Sequence, residues 1–233
     1  MLSDTSPQTQ LTEPINLRLG EQIARRLPTF LAAIFLVSVP VFIQAPLVRL
    51  QPWMSLAVTL VWLLGGLRML RRPSLELWGD LAIGFSWTWL AGSLYWGWLR
   101  DNPYIHLPIE AIGLPIVIIL ISQSRLKVGS YFYLGSLLGT TITDLYFYWV
   151  DLIPYWQQAM RVDSTAVGSV LQAALIQVES PVAIVRALTM LCILVTIGAL
   201  SIKANQAHWW AFSGAVLSTI LVDALFLLAA VLA

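Results

Sequence analysis

Tyr131 to Val150 reads YFYLGSLLGTTITDLYFYWV, a largely apolar run that carries one carboxylate, Asp144. The run is long enough to cross a bilayer as a helix. Asp144 stands 13 positions after Tyr131, which at about 1.5 Å per residue is roughly 20 Å into a hydrocarbon core about 30 Å thick. A charge at that depth costs a few kcal/mol, so such groups face a protein interior or a wet cavity and are functional candidates. The last apolar run echoes the pattern: Gly135, Leu138, Thr140 and Asp144 are matched 79 positions later by Gly214, Leu217, Thr219 and Asp223, with Ser218 in place of Gly139. The preceding runs, 112–122 and 191–201, agree at little beyond Ile118/Ile197 and Ser122/Ser201. An internal repeat and chance recurrence within a restricted alphabet both stay open.

Composition points the same way. Of 233 residues, 58% are hydrophobic and 11% charged, with a mean hydropathy of +0.79, whereas soluble domains carry about 25% charged residues. The expected fold is all-α, a polytopic transmembrane bundle of about seven spans. Residues 1–26 are expected to form a cytoplasmic polar tail and 27–233 a single transmembrane domain. A net charge of +1 without basic runs implies no nucleic-acid partner. The one cysteine, Cys192, can neither close an internal disulfide nor build a thiolate site alone.

The expected spans are 28–48, 53–70, 78–98, 108–122, 131–150, 181–202 and 208–232. Pro40 is expected to kink the first and Pro46 to end it, and Pro115 to interrupt the fourth. The third holds Trp78, Trp87, Trp89, Trp96 and Trp98. Its end tryptophans suit an interfacial belt, and Trp87 and Trp89 suit either helix packing or a flat aromatic ligand. Thr165 to Glu179 is too short and polar to cross easily and is expected to lie in the outer interface or re-enter. With the N-terminus inside, the cytoplasmic side holds Arg18, Arg25, Arg26, Arg68, Arg71, Arg72, Arg125, Lys127 and Lys203. The outer side keeps Arg49, Arg100, Arg161 and Arg186. This bias predicts N-in, C-out for seven spans; an eighth span at 165–178 would move Arg186 in and Lys203 out and leave the count unchanged, so both span counts stay open.

Candidate substrate- or ion-binding residues are Asp144, Asp223, Glu110, Thr140, Thr219, His106 and Arg100. Asp144 lies one turn beyond Thr140 and Thr141, whose hydroxyls could satisfy part of it. Glu110 is expected in the first turn of the fourth span, where the helix dipole favours a carboxylate. His106, four residues earlier, joins Arg100 and Asp101 in a polar concentration outside the membrane. Asp80 is expected to pair with Arg71 or Arg72 or to sit at its own helix N-terminus. Gly135 and Gly139 form a GxxxG, and Gly214 and Ser218 a weaker small-xxx-small pair, both suited to close helix packing.

No catalytic residue, cofactor or metal site is expected. The two histidines, His106 and His208, fall on opposite sides of the membrane, which removes paired haem ligation and multi-histidine metal sites. HExxH, GxSxG, Walker and dinucleotide fingerprints are all missing.

Four segments, VPVFIQAPLVR (39–49), WGDLAIGFSWTWLAGSLYWGWLR (78–100), HLPIEAIGLP (106–115) and VGSYFYLGSLLGTTITDLYFY (128–148), resemble a family of cyanobacterial integral membrane proteins catalogued as a domain of unknown function. The resemblance is close over 27–148 and looser beyond. It implies a photosynthetic source and a plasma or thylakoid membrane, and it carries over no functional residues. Two functions follow as expectations. One is a small-solute transporter or substrate-capture membrane subunit using its intramembrane carboxylates. The other is an assembly or auxiliary subunit whose partner is a photosynthetic membrane complex.

Overall fold

The structure, a computed structural model, describes residues 15–163 and 165–232. Most of the expected polar tail, residues 1–14, lies outside the described residues. All regular structure among the described residues is helical.

Helix α1 spans Ile15–Leu50 and α2 Pro52–Leu70. Helix α3 spans Glu76–Leu94 and runs into a π-helical turn at Tyr95–Leu99. The next passage is broken: a 3-10 turn at Pro103–Ile105, α4 (His106–Glu110), a second 3-10 turn at Ala111–Gly113, then α5 (Leu114–Ser122). The remaining helices are α6 (Lys127–Trp149), α7 (Ile153–Arg161), α8 (Val167–Val178), α9 (Pro181–Ile202) and α10 (Ala207–Leu232).

Three boundaries differ from expectation. Helix α1 begins at Ile15, inside the stretch read as tail, and continues through Pro28, Pro40 and Pro46 to Leu50. Pro46 does not end it, because the Gln51 N–H donates to the Leu47 carbonyl at 2.8 Å and closes the turn beyond the proline. In apolar surroundings a helix keeps its bonds where it can. The fourth passage starts at Pro103, and its interruption precedes Pro115, which sits in the first turn of α5 where a missing N–H costs nothing. Glu110 is therefore the last residue of α4 instead of lying in the first turn of the passage.

Among the described residues, five helical segments are long and apolar enough to cross a membrane: Arg26–Leu50, Pro52–Leu70, Pro103–Ser122, Pro181–Ile202 and Ala207–Leu232. Helices α3 and α6 fall outside that set, yet they bury many residues along their length. Close packing against neighbouring helices accommodates their glycines and serines. Between α6 and α9 the chain stays at one end of the bundle. There α8, about 18 Å long, donates from Gln172 to the Ala230 carbonyl and from Gln177 to the Val150 carbonyl.

The core joins Ala33 of α1, Leu81, Phe85 and Trp89 of α3, Phe132 of α6, and Ala211 and Ala215 of α10. Trp89 is engaged in packing: its indole N–H donates to the Ser55 carbonyl at 2.8 Å, and its ring meets Trp62 and Phe85. Gln44 reaches from α1 to the Trp89 carbonyl at 2.8 Å and the Ser93 hydroxyl at 2.9 Å, and Ser93 bonds to Ser55 at 2.8 Å. This buried polar chain ties α1, α2 and α3 at one level.

Helices α3 and α6 meet backbone to backbone at Gly84 and Gly129, where a Cβ on either residue would overlap the other segment's carbonyl. Leu126, in a left-handed conformation (φ 45°), leaves α6 without a capping side chain of its own. Asp80 of α3 supplies one, accepting the Val128 and Gly129 N–H groups at 2.8 Å each. Asp80 thus pairs with neither Arg71 nor Arg72, and the helix N-terminus it serves belongs to α6.

The Gly129→Ala substitution is expected to lower thermal stability by about 1–3 kcal/mol, as overpacking does. Gly65→Ala, with nothing within 4 Å of the added methyl, is expected to gain up to about 1 kcal/mol. Thermal unfolding of the two variants in one detergent checks the contrast.

Candidate functional site

The irregular turn 100–105 would leave carbonyls unpaired in an apolar bundle, and three aromatic side chains serve them. Tyr148 of α6 donates to the Pro103 carbonyl at 3.1 Å, and Trp156 of α7 donates to the Arg100 carbonyl at 3.2 Å. The Tyr95 hydroxyl lies 3.4 Å from both the Arg100 and Asn102 carbonyls. The Asn102 side chain accepts the Tyr104 N–H at 3.1 Å and opens the 3-10 turn that leads into α4. His106 enters from that turn into a box made of two of these rings and Trp96: Tyr95 at 4.3 Å between centroids, Trp156 at 5.7 Å and Trp96 at 6.0 Å.

Inside the box His106 meets two carboxylates. Its Nδ1 lies 2.9 Å from each oxygen of Asp144, so Nδ1–H donates to Asp144. Its Nε2 lies 3.7 Å from the Glu110 carboxylate, one helical turn on. His106 is 8% exposed and Asp144 5%. The space bounded by Pro103, His106, Asp144, Phe147, Tyr148 and Trp156 admits no water. The two ring nitrogens point at different carboxylates, which leaves no position where one ion could touch all three groups.

The break after Glu110 is satisfied from α6. Tyr133 donates its hydroxyl to the Glu110 carbonyl at 2.7 Å and accepts the Gly113 N–H at 3.1 Å. Gly113 has no Cβ, which would press on Trp87 and the Tyr133 ring. The end of α6 is equally specific. Asp151 turns left-handed (φ 58°), and Leu152 N–H closes onto the Phe147 carbonyl at 2.9 Å, a Schellman ending. That reversal brings α7, and with it Trp156, back over His106.

The other candidates fall elsewhere. Asp144 takes its partner from α4, not from the local hydroxyls: Thr141 donates to the Leu137 carbonyl, and Thr140, half-buried, makes no hydrogen bond to it. Asp223 accepts from Thr143 of α6 at 3.0 Å. Thr219 packs on Gly139, whose missing Cβ makes room for its hydroxyl, and Gly135 faces Ala215 and the Phe212 carbonyl. Gly214 faces α1, at Phe30 and Ala33, and Ser218 bonds within α10 to the Ala215 carbonyl at 2.7 Å. Arg100 contributes its carbonyl to the turn. Sequence reasoning missed Tyr95, Tyr133, Tyr148 and Trp156. The available signal was that a buried tyrosine or tryptophan needs a partner for its O–H or N–H, and the turn beside Pro103 offers carbonyls.

These features define a class: a bundle that is all-helical among the described residues, with five segments there suited to crossing a membrane, and a buried histidine held between two carboxylates at a helix break. Residues 33–231 match the family described as Protein of unknown function (DUF3120), and the chain belongs to that family. Neither a curated protein nor a solved structure matches it.

Removing either partner of the His106–Asp144 pair is expected to cost about 3–5 kcal/mol, because it strands the other. Replacing both, with His106→Leu and Asp144→Leu, is expected to cost less than the sum of the singles by up to about 3 kcal/mol. A thermal-unfolding double-mutant cycle reads the coupling. Tyr133→Phe strands the Glu110 carbonyl and Gly113 N–H and is expected to cost about 1–3 kcal/mol, read in the same assay.

Proposed function

We propose that this chain is an integral membrane protein that moves a small solute across the bilayer, using its intramembrane carboxylates to bind the solute or the ion that drives it. The observation that carries this reading is the broken passage from Pro103 to Ser122, with a histidine and two carboxylates gathered at its break. Discontinuous helices whose freed polar groups meet in the bundle are the usual way carriers build a binding site. Intramembrane ionisable residues are otherwise costly to keep.

The membrane arrangement that goes with this reading has about seven spans, α1, α2, α3, the α4–α5 passage, α6, α9 and α10. In this arrangement Arg26, Arg68, Arg71, Arg72, Arg125, Lys127 and Lys203 fall on one side, read as cytoplasmic by the excess of positive charge. Contacts between the Arg26 and Asn205 side chains, and between Asp80 and Gly129, support that common end. Helices α7 and α8 then lie at the outer interface. The expected roles in no enzymatic reaction and with no nucleic acid belong to the same proposal.

A second reading, an assembly or auxiliary subunit of a larger membrane complex, is favoured by one observation. Trp53 and Trp98 pack edge to face at 5.0 Å and are 71% and 42% exposed, an aromatic ledge suited to a protein partner. Mild-detergent purification separates the two readings: a stoichiometric membrane-complex partner favours the subunit, and a lone species favours the carrier.

For the carrier, proteoliposomes holding wild-type protein are expected to take up at least one solute of a panel of ions, amino acids and small acids. Asp144→Asn is expected to reduce the rate of that uptake at least about tenfold, about 1.4 kcal/mol or more in activation free energy. Undiminished uptake by a folded Asp144→Asn protein counts against the role of the carboxylate.

A further inference from the structure

We infer that His106, Asp144 and Glu110 form a proton-binding site that takes up and releases a single proton as a unit, with Glu110 as the group that completes the uptake. This rests on the transport reading only for its use; the site itself is argued from geometry.

A neutral imidazole has one N–H, and Nδ1 must carry it, since that nitrogen faces both oxygens of Asp144 at 2.9 Å. Nε2 then faces Glu110 at 3.7 Å. With no proton between them, a lone pair and a carboxylate oppose each other, and the cluster carries two largely buried negative charges. One proton taken up by Nε2 removes that clash and leaves one net negative charge. A second proton, delivered from water, gives imidazolium, Asp144 carboxylate and Glu110 carboxylic acid, whose charges sum to zero. Burial penalises net charge steeply, so the cluster alternates between these two filled states, and the proton gained belongs to the cluster and not to one residue.

The surroundings hold further acids and, among the described residues, no bonded cation. The other titratable groups near enough to feel the cluster's charge are Tyr95 of the π-helical turn, Tyr133 and Tyr148 of α6, Asp101 of the turn and Asp223 of α10. Helix α7 faces the imidazole with Trp156, which does not titrate. No lysine or arginine side chain bonds to any of the three groups among the described residues. The aromatic walls instead suit an imidazolium, whose charge aromatic faces attract. A solute anion would need a standing positive charge here, and the neutral filled state offers none, so the proton is the ligand that fits.

Infrared difference spectra of the full-length protein in a lipid film, taken between about pH 8 and pH 5, test this directly. Wild type is expected to gain a carboxylic-acid band on acidification. Glu110→Gln is expected to lose that band, and Asp223→Asn to keep it. If Glu110→Gln does not assemble, Glu110→Asp retains an acid and the band must be displaced. Absence of the band in wild type, or a band unmoved in either folded Glu110 variant, overturns the inference. A protein with the Glu110 band that transports no solute of the panel sinks the carrier reading while the proton site stands. Solute uptake without the band does the reverse.

Discussion

Two helices can approach to backbone contact only where side chains are missing at the crossing, and α6 depends on this on two sides. Towards α3 it offers Gly129 opposite Gly84, and towards α10 it offers Gly135 and Gly139. In an apolar environment burial of more apolar surface does not drive helices together, so dispersion between closely fitted backbones and a few polar contacts must do so. Asp80 adds such a contact where the approach is closest, capping the start of α6 from a neighbouring helix. Once α6 is fixed at both ends and on both flanks, the positions of Tyr133, Asp144 and Tyr148 along it are fixed too. The broken passage beside it is then shaped by what those three side chains offer.

The break and the buried ion pair are one construction. A helix interrupted in an apolar bundle exposes polar backbone groups, and each must find a donor or acceptor. Here the donors are aromatic: Tyr133 at the break itself, Tyr148 and Trp156 on the turn before it. The Trp156 ring, brought in to satisfy the backbone, also packs with Tyr95 around His106 and closes the space beside its contact with Asp144. Low local polarity strengthens those contacts and makes any unpaired state expensive. The three parts of the site therefore stand or fall together: the irregular backbone, the aromatic wall and the histidine between carboxylates.

The helical class was legible from apolar runs, because length and hydropathy are local properties. Asp144, Glu110 and His106 were each visible as unusual residues for their surroundings. Their meeting was not, since Asp144 lies 38 residues from His106 and no periodicity links α4 to α6. Asp80 shows the same limit: its charge near a helix start was readable, but the helix it caps begins 47 residues later, and only the Gly84–Gly129 approach makes that possible. Pro46 and Pro115 misled in opposite directions. The first is absorbed within α1, and the second follows a break that Gly113 and Tyr133 create. Local rules for proline describe the cost of a missing N–H; where that cost falls depends on neighbours that a single segment does not reveal.

The echo between the fifth and last apolar runs can now be judged by its contacts. Helices α6 and α10 pack in parallel with a register of 80, since Gly135 meets Ala215, Gly139 meets Thr219, and Thr143 meets Asp223. The sequence echo has a period of 79, one residue off that register. A duplicated unit would place matched residues in matched surroundings, and these do not share them. Gly135 faces α10 while Gly214 faces α1, and Asp144 holds a histidine while Asp223 holds a threonine. What the two helices share is a requirement: each is pressed between neighbours and needs small residues at one-turn spacing. A common packing demand is enough to produce four similar positions from so limited an alphabet. Asp223, with a hydroxyl partner and no histidine, therefore does not inherit the chemistry of Asp144 by analogy. The proton chemistry belongs to the break between α4 and α5, where His106 and Glu110 meet Asp144.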